Sequence, residues 1–243
     1  MKSLTNLKKR DAGFTLLELL IVIAIIAILS IALVFMLNPA ETLKKARDAQ
    51  RISDLKTVKT ALGIMLTASS TPRLDSTTGL ICTTTTAGAV QGTSKIAYSA
   101  SSTAPTTSTT GGSDTIGAVA FTTPGYTVSA ASAGKVDGTG WIPVNLKALT
   151  GGTPISSFPV DPINTLSSTA ASTDLVYRYA CQNGTPTASP TKPAYIFEID
   201  AVLESNAYTV EDNKMSKDGG DNIYYYESGN SLNLLPGSDV TTF

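Results

Sequence analysis

Three groups of residues in this chain have types and spacings that could do chemistry. Glu18 is a lone carboxylate in the first turns of a long apolar run. An ionised carboxylate near a bilayer core is held there at a cost, so it either stays wet at the surface or has a positive partner. Cys82 and Cys181 are the only cysteines. An even pair reads as a disulfide in an exported protein, and otherwise as two buried thiols. Glu211, Asp212, Asn213, Asp218, Asp221 and Asn222 gather around Gly219-Gly220 and offer hard oxygen ligands. Their spacing does not match the regular calcium loop, and a solvated polar loop is the favoured reading. The chain has no histidine. Imidazole is therefore excluded as base, nucleophile or metal ligand, and with it Ser-His-Asp triads, Cys-His dyads and the common zinc sites. No catalytic residue, cofactor-binding residue or metal site stands out, and the expectation is no enzyme and no cofactor.

The composition narrows the class further. The chain has 243 residues, 42% of them apolar and only 15% charged. Average usage is about 25% charged. Ser, Thr, Ala and Gly largely replace the missing charge. The net charge of −1 argues against a nucleic-acid partner, because such proteins carry a basic excess. The charge is uneven. Residues 40–67 carry six bases against three acids, and residues 174–239 carry ten acids against four bases. Subunits that stack can pair such faces, and solvated faces show the same pattern.

Residues Leu19 to Leu37 hold no charge and one hydroxyl, Ser30. As a helix they span roughly 28 Å, close to the hydrocarbon thickness of a bilayer. Lys2, Lys8, Lys9 and Arg10 precede the run. They predict a single membrane pass with a cytoplasmic N-terminus and the remainder outside. Lys44, Lys45 and Arg47 just beyond the run weaken that bias. A cleaved secretory signal is the other reading, with a small-x-small site at Ser30-Ile31-Ala32. The apolar run is long for that role, and Leu33 to Leu37 continue it past the site.

The stretch from Lys8 to Val22, with Gly13-Phe14-Thr15-Leu16-Leu17-Glu18 at its centre, resembles the class III signal of type IV pilins and type II secretion pseudopilins. The resemblance covers residues 8–38 strongly and the helical continuation more weakly. It implies that a prepilin peptidase cuts between Gly13 and Phe14 and that Phe14 is then N-methylated. It implies that Glu18 serves assembly by pairing with the new Phe14 amine of a neighbouring subunit, so that neither charge stays alone in an apolar filament core. The implied partners are further copies of the chain in a helical homopolymer, the prepilin peptidase, the inner-membrane assembly machinery and, for the monomer, the membrane itself. The implied places are the cytoplasmic membrane for the precursor and an extracellular filament for the assembled form. A secretion pseudopilin and a membrane-anchored monomeric adhesion or binding module are the competing readings.

The elements that must carry these residues are legible in outline. Asn38-Pro39 predicts a kink at the membrane exit. Leu43, Ala46, Ile52, Leu55, Val58, Leu62 and Met65 recur at helical steps, so residues 14–67 read as one long, kinked helix. Residues 69–140 hold 29 Ser or Thr among 72 positions and only six charges. They read as a weakly packed β-rich lobe, with a disordered or O-glycosylated stalk as the alternative. Strands are expected at 94–99, 116–122, 126–130, 176–181, 194–203 and 222–227. The alternation of Tyr195, Phe197, Ile199 and Ala201 with Ile196, Glu198, Asp200 and Val202 predicts a half-buried strand. Phe158-Pro159-Val160-Asp161-Pro162 reads as a turn, and Asn183-Gly184-Thr185 is an N-glycosylation sequon. A disulfide closing about 100 residues would stabilise the fold by roughly 4–5 kcal/mol in the chain-entropy model.

The expected class is α+β: a long N-terminal α-helix, membrane-spanning then amphipathic, packed on a C-terminal β-rich head with an antiparallel sheet. The expected division is a leader at 1–13, a transmembrane and filament-core helix at 14–38, and an amphipathic stem at 39–68. A Ser/Thr-rich lobe follows at 69–140, and a β-sheet head at 141–243.

Overall fold

The computed structural model describes residues 13–76, 81–86, 89–91, 95–100, 109–110, 120–121, 125–167, 173–183 and 195–235. The leader before Gly13, most of the expected strand at 116–122 and the tail of the sequon lie outside them. The chain forms two compact units, Met1–Leu43 and Lys44–Phe243.

In the first unit, helix α1 spans Leu16–Leu37 and has no buried residue. It stops at Asn38, whose φ of 38° and ψ of 70° are left-handed. Asn tolerates that region because its short polar side chain bonds locally, and the following proline disfavours a helical Asn38. Pro39 then opens helix α2, Pro39–Ala68, where a missing N–H costs nothing. Asn38 Oδ1 accepts from the Glu41 amide at 3.4 Å. The kink expected at Asn38-Pro39 is thus a break of one residue in the long helical stretch, between α1 and α2.

The second unit, the head, begins at Lys44 and is built around α2. The buried stripe of α2 is Asp48, Arg51, Leu55, Val58, Ala61, Leu62 and Met65. Leu55, Val58, Leu62 and Met65 stand where the sequence pattern puts them. Leu43 and Ala46 are exposed instead, and Ile52 is half-buried. The buried face continues upstream through two charged residues, because the surface opposing it there is ionic. Arg51 Nε and Nη2 hold both oxygens of Asp161 at 2.6 and 3.0 Å. Arg51 Nη1 donates to Asp48 Oδ1 at 2.8 Å and to Glu204 Oε2 at 2.6 Å. Arg47 closes on Glu204 from the other side at 2.9 and 3.0 Å. Asp48 also accepts the backbone amides of Glu204 and Ser205. Burial alone would lower the Arg51 pKa, but Asp161, Glu204 and Asp48 overcome it and raise it. Burial alone would raise Glu204, but Arg47 and Arg51 hold it below the usual carboxylate range.

After α2 come the strands β1 (Thr83–Thr86), β2 (Ala89–Gln91), β3 (Ala97–Tyr98), β4 (Thr109–Thr110) and β5 (Ala120–Phe121). The short helix α3 (Ala130–Ala133) follows, then β6 (Arg178–Asn183), β7 (Tyr195–Ala201) and β8 (Tyr226–Gly229). Strands β3, β6, β7 and β8 form an antiparallel sheet. One edge of β6 is shared: its first residues pair with β3, and its last pair with β1 in parallel. Strands β4 and β5 form a separate two-stranded ladder. At 126–130 the expected strand shrinks to one bridge, Tyr126 with Ala97, and Ser129 instead precedes α3. The expected strand at 222–227 begins later, because Asn222 Oδ1 accepts the Tyr224 amide and curls the chain into a turn.

Strand β7 is not half-buried. Phe197, Ile199 and Ala201 join α2, Trp141, Ile142, Tyr177 and Tyr179 in the main core. Ile196, on the opposite face, joins Ile96, Tyr98, Val176, Ala180, Tyr225, Leu234 and Leu235 in a second one. Glu198 and Asp200 are buried on that second face. Distant loops cover it, which strand periodicity does not reveal.

Nor is the Ser/Thr-rich segment weakly packed throughout. Leu74, Ile81, Cys82, Ile96, Ala97, Tyr98 and Val136 are all buried. Each of these seven fills a place in one of the two cores. Asp75 accepts the amides of Ile81 and Cys82 and the Asn183 side-chain amide. Cys82 and Cys181 are joined by a disulfide, with their Cα atoms 4.6 Å apart. The bridge ties the entry to β1 onto β6.

Two outcomes follow. Arg51→Leu strands buried Asp48 and Asp161 without their cation and should destabilise the head by about 3–5 kcal/mol. Denaturant unfolding with the disulfide intact at neutral pH checks this, and a shift below about 1 kcal/mol would contradict the role given to Arg51. Under denaturing, non-reducing conditions, a thiol reagent should label neither Cys82 nor Cys181, and both after reduction.

Candidate functional site

The residues with a sequence-level claim to function meet at the start of α1. Gly13, Phe14 and Thr15 lie ahead of the helix. Phe14 is 88% exposed, and a side chain placed on Gly13 would meet nothing within 4 Å. The backbone between Gly13 and Phe14 is thus sterically open. Thr15 is extended, with φ −75° and ψ 151°, and caps the helix. Its Oγ1 accepts the Glu18 amide at 3.2 Å. Glu18 Oε2 in return accepts the Thr15 amide at 2.9 Å and the Thr15 hydroxyl at 2.8 Å. This reciprocal pair is a capping box.

Glu18 therefore has a partner within its own chain, the N–H and hydroxyl of Thr15 at its helix terminus. Its negative charge also sits at the positive end of the helix dipole. Both bonds go to Oε2. Sequence reasoning noticed the carboxylate and overlooked the threonine three residues before it. The Thr-x-x-Glu spacing ahead of an apolar run was the available signal.

The rest of α1 carries no chemistry of its own. Its only hydroxyl, Ser30, donates to the Ile26 carbonyl at 2.7 Å, so its hydrogen bond is met within the helix. Its 22 residues rise about 33 Å, against a hydrocarbon thickness of roughly 30 Å. By length and composition α1 can cross a membrane. A helix that is apolar all round needs apolar surroundings on every side.

The acidic loop is engaged internally. Asp212 pairs with Lys214 and Lys217, which hold its pKa down to about 2. Asp218 accepts the amides of Gly220 and Glu227. Gly219 takes a φ of 91°, and a side chain on Gly220 would collide with the Glu227 carboxylate. Among the described residues, no group of three or more His, Cys, Asp and Glu is placed to hold a metal ion. The Asn183 side chain of the sequon is buried. It donates to Asp75 at 2.7 Å and accepts the Leu74 amide at 2.9 Å, so the folded head does not present it for modification.

Comparison with known proteins places one part of the chain. Residues 8–34 match the family model of the prokaryotic N-terminal methylation motif. Neither the curated proteins nor the solved structures provide a match. The match falls on the Gly13-Phe14 junction, the capping box and most of α1. The N-terminal segment thus carries the class III signal of type IV pilin- and pseudopilin-like prepilins.

Proposed function

We propose that this chain is a structural subunit of a type IV pilus-like filament. The precursor sits in the cytoplasmic membrane through α1, with its N-terminus inside and its head outside. A prepilin peptidase cuts between Gly13 and Phe14 and methylates the new terminus. Inner-membrane assembly machinery then moves the mature chain into a helical polymer of its own copies.

The single observation that carries this reading is α1 itself. It is apolar on every face, none of its residues is buried, and one carboxylate is fixed in its first turn. A bilayer satisfies such a surface for the monomer. A bundle of identical helices satisfies it in the filament. Glu18 keeps Oε2 on Thr15, which leaves Oε1 to take the Phe14 amine of a neighbour. Such a buried pair sets axial register more surely than it adds stability. The same Glu18 bond to Thr15 holds the carboxylate in one geometry before any neighbour arrives.

The mature chain should begin at N-methylated Phe14 and hold 230 residues, which is 243 minus 13, with 14 bases and 18 acids. Mass spectrometry of the purified protein checks this, and a terminus at Met1 or Leu33 would refute it. Gly13→Val should leave uncut precursor in the membrane. Glu18→Leu makes the helix more apolar, so insertion and cleavage should persist. With that variant as sole subunit, sheared surface filaments should fall to a trace by electron microscopy while mature monomer accumulates. Normal filament yield would remove Glu18 from assembly, and wild-type cells without such filaments would favour a short secretion pseudopilus or a monomeric anchor.

A further inference from the structure

The second face of the sheet holds a carboxylate cluster that nothing above uses. Glu198 and Asp200 are two apart on β7 and share a face. Glu227 on β8 stands opposite Asp200 and so shares it too. All three are buried, at 0%, 1% and 2% exposure. Arg178, opposite Asp200 on β6, is the cation facing them, with its Nε 3.3 Å from Asp200 Oδ1. The guanidinium also lies over the Tyr225 ring at 3.8 Å. Among the described residues, the other titratable groups around the cluster are Tyr98 on β3, Tyr225, the buried Asp174 and Asp218, which takes the Glu227 amide. Three ionised carboxylates against one guanidinium would leave two uncompensated charges in a closed interior, which is prohibitively costly.

The hydrogen bonds show where a proton belongs. Glu198 Oε2 accepts two backbone amides, Leu234 at 2.6 Å and Leu235 at 2.8 Å. Two such donors favour the ionised form. Glu227 Oε2 accepts one, the Asn222 amide at 3.1 Å. The other oxygens, Glu198 Oε1 and Glu227 Oε1, are buried and have no conventional donor. The two side chains are within hydrogen-bonding reach of each other. A single proton on Glu227 would satisfy both oxygens with one bond.

We propose that Glu227 and Glu198 share one proton and act as an acid-tightened latch on the turn at Leu234–Leu235. Glu227 donates it, and Glu198, ionised and fixed by that bond, holds the two backbone amides. Leu234 and Leu235 thereby stay inserted in the second core beside Tyr225 and Ile196. Burial, and then the adjoining Glu198, push Glu227 far above the usual carboxylate range. Its folded value is raised, so the sign follows directly. Burial also raises Glu198, to about 7. In stronger acid the pair therefore takes a second proton, and Glu198 accepts the two amides in its neutral form. The contribution of Glu227 is fully present below the ordinary glutamate pKa of about 4.3 and weakens as pH climbs towards its raised value. Opening releases the proton, so alkali favours opening. This device belongs to the head and stands independently of the filament reading.

The test uses the full-length chain in detergent, as wild type and as Glu227→Gln. The glutamine keeps the size, the acceptor for Asn222 and a donor for Glu198, but cannot titrate. Amide hydrogen exchange at Leu234 and Leu235 is followed from pH 5 to 9 and corrected for intrinsic chemistry. Wild-type protection should fall with pH, by up to about tenfold per unit where opening releases one whole proton. The variant's protection should fall less, because only Glu198 and Asp200, raised to about 7 and 6, still titrate there. The difference between the two slopes belongs to Glu227. Asp200 and Arg178 are present in both proteins, so their contributions cancel. At pH 7 the wild type should show a protonated-carboxyl infrared band that Glu227→Gln lacks. Flat wild-type protection, an equal fall in the variant, or no such band would each overturn the latch. If the variant fails to fold, the wild-type slope and band decide the matter together.

Discussion

Arg51 is the contact on which the head's arrangement turns. Its guanidinium is completely buried, a position that is tolerable only when its donors are paired, and four of its five N–H groups meet carboxylates. Asp161 takes one edge bidentately, and Asp48 and Glu204 share the remaining nitrogen. These partners come from three places: the helix itself, the proline-framed turn and the segment after β7. A planar fork of fixed geometry can satisfy all three in only one placement of α2. Once that placement is set, Leu55, Val58, Leu62 and Met65 share one core with Phe197, Ile199 and Tyr179. The aromatic core then closes through single polar anchors, Trp141 Nε1 on the Pro159 carbonyl and the Tyr177 hydroxyl on Asp54.

The two parts of the N-terminal region answer to different surroundings. Helix α1 is apolar on all sides and satisfies its own polar groups, from the capping box to Ser30. Helix α2 is amphipathic and buries one stripe. The division between them is chemical as well as geometric. Asn38 supplies the left-handed residue and Pro39 the restart, so the apolar helix ends and the amphipathic one begins at the same residue. The carboxylate at one end of α1 is therefore held in place by local chemistry, whatever surrounds the helix.

The head keeps two buried carboxylate sites that respond to pH with opposite sign. At the ionic knot, Arg47 and Arg51 depress Glu204. That contribution is present above the ordinary glutamate range and is lost as acid protonates the group. At the sheet's second face, burial and a like charge raise Glu227. That contribution is present in acid and is lost as pH rises. The difference lies in the ratio of cations to carboxylates. Two guanidiniums serve the first site, while one serves three carboxyls at the second. A head built this way is best held at intermediate pH, where the knot is ionised and the latch still carries its proton.

The sequence by itself determined the features that depend on near neighbours. The apolar run, the Gly13-Phe14 junction, Glu18 and the break at Asn38-Pro39 are all local, and helix periodicity located the lower stripe of α2. The pairing of Cys82 with Cys181 was also legible, because only one pairing exists. The Thr15 to Glu18 box was equally local and was there to be read. Tertiary structure alone decided the rest. Asp48 and Arg51 look like residues of a solvated face, and only the loops carrying Asp161 and Glu204 turn them inward. Glu198 and Asp200 look like the wet side of a half-buried strand, and only Leu234, Leu235 and Tyr225 close that side. A charge can be buried when its partners arrive from more than 100 residues away in the chain, and no pattern of spacing within one element records where those partners will come from.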